Sequence, residues 1–166
     1  MDRLRRKIDQ YLIDWKNSSN KMPLIIKGAR QIGKTYLIRE FLKENAESYI
    51  EFNSYENDLA KQAFETISNA KELLIKISAL ATKPLIKDKT IIFIDEVQAV
   101  EDVVTKVKFL IEEGSYRYIF SGSLLGISYK NIDSLPVGYM DILEMFPLDF
   151  EEFCIANGVS KDTINY

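Results

Sequence analysis

The 166-residue sequence has no histidine. That absence removes Ser-His-Asp and Cys-His nucleophilic chemistry and most zinc sites. Acid–base work in such a chain falls to carboxylates, lysine or tyrosine. Cys154 is the single cysteine, so neither an internal disulfide nor a cysteine-based metal site can form. A reducing compartment, the cytoplasm, is the expected setting. No apolar run approaches the roughly 18 residues that span a bilayer, and no membrane role is expected. The charged, helix-patterned start does not read as a secretion signal. An excess of positive charge is missing too: 22 basic residues face 25 acidic ones, a net charge of −3. No strong global field therefore draws the chain to nucleic acid or anionic lipid. The local cluster Arg3, Arg5, Arg6 and Lys7 reads as a solvated helix face.

What is present is ordinary for one globular domain: 46% hydrophobic and 28% charged residues. Leu4, Ile8, Leu12 and Trp15 recur at helical spacing, predicting an amphipathic helix over residues 3–17. Pro23 and "LIIK" predict a short buried strand, and from Gly33 a helix with Leu37, Ile38, Phe41 and Leu42 on one face. "SYIEFN" (48–53) reads as a second strand. Leu59, Phe64, Ile67, Leu74 and Ile77 place one or two helices within 57–81. "TIIFIDE" (90–96) is apolar on both faces, which belongs in the centre of a covered parallel sheet. Val97 to Ile111 read as a helix stopped by Gly114, "YRYIFSGS" (116–123) as a strand, and 124–138 as loop. "MDILEMF" (140–146) predicts a last strand, and "LDFEEFCIA" begins a helix. Strands alternating with helices give an α/β fold with a parallel sheet and right-handed crossovers.

The chemistry concentrates in "GARQIGKT", residues Gly28 to Thr35, directly after an apolar run. This is the spacing of a phosphate-binding loop. Backbone N–H groups turning into a helix N-terminus meet phosphate charge with several donors and a favourable dipole. Gly28 and Gly33 let the backbone come close. Lys34 supplies a cation for the β/γ oxygens, and Thr35 a hydroxyl for Mg²⁺. Gly28, Ala29, Arg30, Gln31, Ile32, Gly33, Lys34, Thr35 and Tyr36 are the candidate nucleotide-binding residues. Arg30 and Gln31 read equally as phosphate contacts or as solvent-facing residues.

Asp95 and Glu96 close an apolar strand, at the end where α/β sheets place ligands. Asp95 is the candidate Mg²⁺ residue with Thr35, and Glu96 the group that polarises an attacking water. Ser121 closes the next strand and is a candidate contact to the γ-phosphate or that water; Ser123 reads equally as a turn residue. Glu96, Lys34 and Ser121 form the candidate catalytic set. Arg117 reads as a surface cation, and "DFEEF" (149–153) as the exposed face of the last helix.

In order along the chain, "GARQIGKT", "FIDEVQ", "FSGS" and "PVGYMDILEMFPLDFEEF" resemble one family, with a likeness running from about Leu4 to Phe153. It is that of bacterial and archaeal AAA-type ATPases in which an N-terminal P-loop domain precedes a C-terminal domain of unknown function. The resemblance implies a three-layer P-loop NTPase fold with a five-stranded parallel sheet in the order 5-1-4-3-2. It implies ATP and Mg²⁺, with Lys34, Thr35, Asp95, Glu96 and Ser121 in the roles above. It divides the chain into an N-terminal helix packed on the core (1–20), the ATPase domain (21–147) and the start of a lid or C-terminal region (148–166). The chain departs from the family at Tyr139, where similar proteins have Arg, and in length, since they are usually about twice as long.

Two functions stay open at this level. One is Mg²⁺-dependent ATP hydrolysis that drives conformational change in an attached or partner domain. The other is a nucleotide-binding regulatory module with little hydrolysis. A small-molecule kinase is a weaker third, because residues 124–166 hold no arginine. ATP and ADP are the expected ligands, and a homo-oligomer or a C-terminal effector domain the expected partner. Arg117 is the one candidate for an arginine lent to a neighbour. DNA enters by family analogy alone, since no groove-reading motif appears.

Overall fold

A computed structural model describes residues 4–99, 103–123 and 138–164. Helix α1 (Ile8–Asn17) leads to strand β1 (Leu24–Gly28) and helix α2 (Lys34–Asn45). Strand β2 (Ser48–Asn53), helices α3 (Asp58–Glu65) and α4 (Ala70–Leu80) and strand β3 (Thr90–Asp95) follow. A 3₁₀ turn (Val97–Ala99) and helix α5 (Val103–Glu113) lead to strands β4 (Arg117–Ser123) and β5 (Asp141–Glu144). Helices α6 (Phe150–Ala156) and α7 (Lys161–Ile164) complete the described chain.

The five strands form one parallel sheet in the order β2-β3-β4-β1-β5. This is the arrangement expected from the family resemblance, written from the other edge. β3 is buried at every position, as its unbroken apolar run requires. Alternate residues feed two separate cores. Ile91, Phe93, Ile119, Leu24 and Ile26 pack with Leu12 and Trp15 of α1 and with Leu37, Ile38, Phe41 and Leu42 of α2. Ile92, Ile94, Tyr118 and Phe120 pack on the opposite face with Phe64, Ile67, Leu73, Ile77 and Leu110. The period-2 alternation of the strands thus builds a three-layer sandwich. Leu59 stays out of it, at 67% exposure.

Three segments differ from the sequence expectations. The stretch expected as one helix from Val97 opens as a 3₁₀ turn (Val97–Ala99), and the described α5 begins only at Val103; Glu96, just before the turn, has a left-handed φ of 55°. The first helix starts only at Ile8, so Arg6 and Lys7 precede it. They are not a solvated helix face, and "DFEEF" is not wholly exposed. Arg6 Nε pairs with Glu152 Oε1 at 3.0 Å, both side chains being under 10% exposed. Lys7 Nζ reaches Asp149 and Glu151, each at 2.7 Å. Asp149 caps α6 in a capping box with Glu152. Arg6 and Lys7 thus neutralise acids of the 149–153 segment, while Arg5 pairs with Glu44 of α2 at 2.9 Å. Among the described residues, no helix is long and apolar enough to cross a membrane.

Candidate nucleotide-binding site

Strand β1 ends at Gly28, where a Cβ would meet Met145 O at 2.4 Å and Ile32 Cδ1 at 2.7 Å. Only glycine lets the chain leaving β5 pass so close to the loop. Gly33 has room for a Cβ but sits at φ 92°, so its requirement is conformational. Helix α2 starts immediately after it without a side-chain cap or an acid in its first turn. Among the described residues no side chain accepts from its first N–H groups, which carry the positive end of the helix dipole.

Lys34 is buried, and its ammonium donates to Gly28 O at 3.1 Å and Ala29 O at 2.6 Å. Burial lowers its pKa, while Glu96 and Asp95 pull it back up. Thr35 Oγ1 donates to Asp95 Oδ2 at 2.9 Å. Ser121, fully buried, donates its hydroxyl to Asp95 Oδ1, which also accepts from Glu96 N at 3.0 Å. The sheet order explains the convergence: β4 lies between β1 and β3, so Ser121 sits between the loop and Asp95. Arg30, Gln31, Gly33, Lys34, Thr35, Tyr36, Tyr55 and Glu96 line a cavity of about 510 Å³. Ala29 is exposed and Ile32 partly buried.

Two residues at this site were not singled out from sequence. Tyr55, 58% exposed, follows β2 and lines the cavity. Gln98 donates its Nε2 to Glu96 Oε2, and its Oε1 accepts from Ser123 N at 3.3 Å. Gln98 stands within "FIDEVQ" but carried no chemical signal of its own; Tyr55 had none. Arg117 is not a free surface cation. It starts β4, at the other end of the strand from Ser121, and donates to the carbonyls of Trp15, Ser18 and Asn20. Burial lowers its pKa. Tyr139 also lies away from the loop, in a groove with Ser19, Met22, Leu110 and Gly114 near the start of β1. Position 139 therefore does not complete the phosphate site of its own chain.

The donor set suits Mg²⁺. Thr35 and Asp95 bring hard oxygen atoms together, and Ser121 adds a third. Among the described residues, no three His, Cys, Asp or Glu side chains cluster to hold a metal. Mg²⁺ commonly binds through one or two carboxylates plus substrate phosphates, so a lone Asp beside a hydroxyl fits.

A phosphate loop between a central parallel strand and a helix, in a sheet of order 2-3-4-1-5, defines a P-loop NTPase domain of the AAA type. The chain belongs to the AAA domain family, whose model matches residues 20–154. No curated protein matches it. Solved structures do. A RuvB variant from Thermotoga maritima is 15% identical, with a TM-score of 0.50 over 86% of this chain and 44% of that one. PCH-2 of C. elegans is 14% identical, with a TM-score of 0.46 over 87% of this chain and 40% of that one. The chain thus spans less than half the length of either. At this identity the RuvB likeness shows the fold alone.

Proposed function

We propose that the protein is a Mg²⁺-dependent ATPase whose turnover moves an attached or partner domain. The observation that carries this reading is the Thr35–Asp95 hydrogen bond of 2.9 Å, which sets a metal-binding pair beside the loop and its lysine. The loop amides and Lys34 bind the β- and γ-phosphates, and Lys34 exchanges its two carbonyl contacts for phosphate oxygens. Thr35 and Asp95 would hold the ion, which would supply positive charge to offset that of the phosphates. Glu96 orients the attacking water and accepts its proton; no histidine competes for that role. Ser121 fixes the Asp95 carboxylate and senses the terminal phosphate through it. Catalysis is then positioning and electrostatics, without a covalent intermediate. The Arg6–Glu152 pair, which ties α6 to the residues before α1, lies on the side through which such motion would be passed on.

Phosphate release with Mg²⁺ and ATP tests the reading. The wild type releases phosphate, and Glu96→Gln binds ATP while turnover falls about 100-fold or more. Titration calorimetry on Lys34→Ala shows weakened binding. Equal affinity in Lys34→Ala and wild type sinks the site; saturable ATP binding with no release replaces the ATPase with a nucleotide-binding regulatory module.

A further inference from the structure

The pairing of β3 with β4 runs as far as Ile94↔Phe120. Beyond that rung two side-chain bonds continue the join. Ser121 reaches Asp95 by its hydroxyl, and Ser123 N reaches Gln98 Oε1. The same carboxamide turns its Nε2 to Glu96 Oε2. Gln98 is thus a two-ended strut between the proposed base and the main chain of β4. Its own backbone is held in the 3₁₀ turn, closed by Ala99 N to Glu96 O at 3.0 Å and anchored by buried Val97. The Ser123 end of the strut is fixed in the sheet, where β4 pairs Ser123 with Gly28 of β1.

Glu96 needs such a strut. Its backbone is left-handed, so the side chain leaves β3 in a direction the strand does not control. It faces a cavity that opens to solvent, lined also by Arg30, Lys34, Tyr36 and Tyr55. Lys34 attracts it electrostatically, as does any cation in reach. A carboxylate that swung onto Lys34 would tie up the phosphate-binding cation and lose its place beside the water. The Gln98 amide offers a neutral donor on the other side. It has no charge of its own to compete with phosphate.

We propose that Gln98 is a positioning residue, which fixes the Glu96 carboxylate to the end of β4 and keeps it off Lys34. The proposal rests on the hydrolytic reading above. Alignment of the base then depends on β4, the strand that also carries Ser121, so one strand sets both the metal-binding acid and the base.

The test is kinetic and spectroscopic. Gln98→Ala is expected to lower kcat about tenfold, with ATP affinity unchanged within about twofold, because one hydrogen bond to a charged group is lost. Gln98→Glu keeps the length and the acceptor for Ser123 but removes the donor to Glu96; it is expected to be as slow as Gln98→Ala. In a Glu96→Gln background, Gln98→Ala is expected to add no further loss. A wild-type kcat in Gln98→Ala, full activity in Gln98→Glu, or the same fold loss in both backgrounds overturns the proposal. A second arm needs no turnover: the ¹⁵N-amide resonance of Ser123 is followed in the free protein. Glu96→Ala is expected to shift it when Gln98 is present and not in Gln98→Ala. No shift in either background overturns the strut itself. Phosphate release absent from the wild type, with the Ser123 shift present, removes the ATPase reading and the kinetic role while the contact stands.

Discussion

Thr35 Oγ1 donates to Asp95 Oδ2 at 2.9 Å, joining the first turn of α2 to the last residue of β3 across 60 positions of sequence. Asp95 is 3% exposed, yet it accepts from Thr35, from Ser121 and from the Glu96 amide. Those donors meet both oxygens of a buried carboxylate. Asp95→Asn keeps the shape and an acceptor for Ser121. It is expected to change stability by less than about 1 kcal/mol, since Thr35 can reverse its hydroxyl toward the new amide. It is also expected to abolish the gain in ATP affinity that Mg²⁺ gives the wild type. Thermal melts and ATP titrations with and without Mg²⁺ check both halves.

Lys34 makes the opposite bargain. Burial lowers its pKa below the ordinary 10.5, despite the pull of Glu96 and Asp95. A lysine whose pKa is lowered on folding is charged at a cost, and the cost is full below the lowered pKa. As the pH climbs toward 10.5 the unfolded chain binds more protons, so wild-type stability gains. Lys34→Met lacks that gain. The stability difference between wild type and Lys34→Met is therefore expected to move in favour of wild type as pH rises toward 10.5, as measured by urea unfolding in matched buffers.

The two loop glycines are expected to fail differently. At Gly28 a methyl meets the Met145 carbonyl oxygen, which belongs to backbone and cannot simply turn aside. Gly28→Ala is expected to cost several kcal/mol, on the scale of overpacked cores, and to loosen β5 from β1. At Gly33 nothing stands within 4 Å and only the dihedral objects. Gly33→Ala is expected to cost about 1–2 kcal/mol and to spend most of its effect on ATP affinity. Melting temperature and ATP binding, measured on both variants, separate the two; a larger melting loss at Gly33 would contradict this account.

Arg6→Ala strands a buried carboxylate. Glu152 titrates below its ordinary value, because burial, which pushes it up, is outweighed by Arg6 and by the amides of Lys7 and Asp149. Breaking a buried pair from one side costs about 3–5 kcal/mol, which lowers the Tm of a chain this size by on the order of 10 °C. A lowered carboxyl pKa gives stability above 4.5 that is lost as pH falls through the folded value. The gap between wild type and Arg6→Ala is therefore expected to be full near pH 7 and to narrow below pH 4.5. Calorimetric scans across that range check the trend.

The elements were legible because their signals are local. "TIIFID" is apolar throughout, and it became the fully buried β3; Leu37, Ile38, Phe41 and Leu42 became the buried stripe of α2. The loop was legible because glycine spacing, lysine and threonine lie within eight residues. Pairings between distant charges were not. Arg6 and Glu152 each sit in a patch with helical spacing and acidic or basic company, and only the approach of α6 to the N-terminus makes them partners. Arg117 looked like any strand-end cation until the end of α1 brought three carbonyls to it. Gln98 hides for the same reason: its chemistry is its two partners, one of which comes from the next strand.

Met145 stands between the phosphate loop and the residues that precede α1. Its amide holds Lys27 O at 2.8 Å, its carbonyl crowds Gly28, and the following carbonyl, of Phe146, accepts from Arg6 at 2.8 Å. A displacement of the phosphate cradle therefore has a short mechanical outlet. It presses on the exit of the outermost ribbon and on the amino-terminal clasp, without needing to travel through either hydrophobic layer.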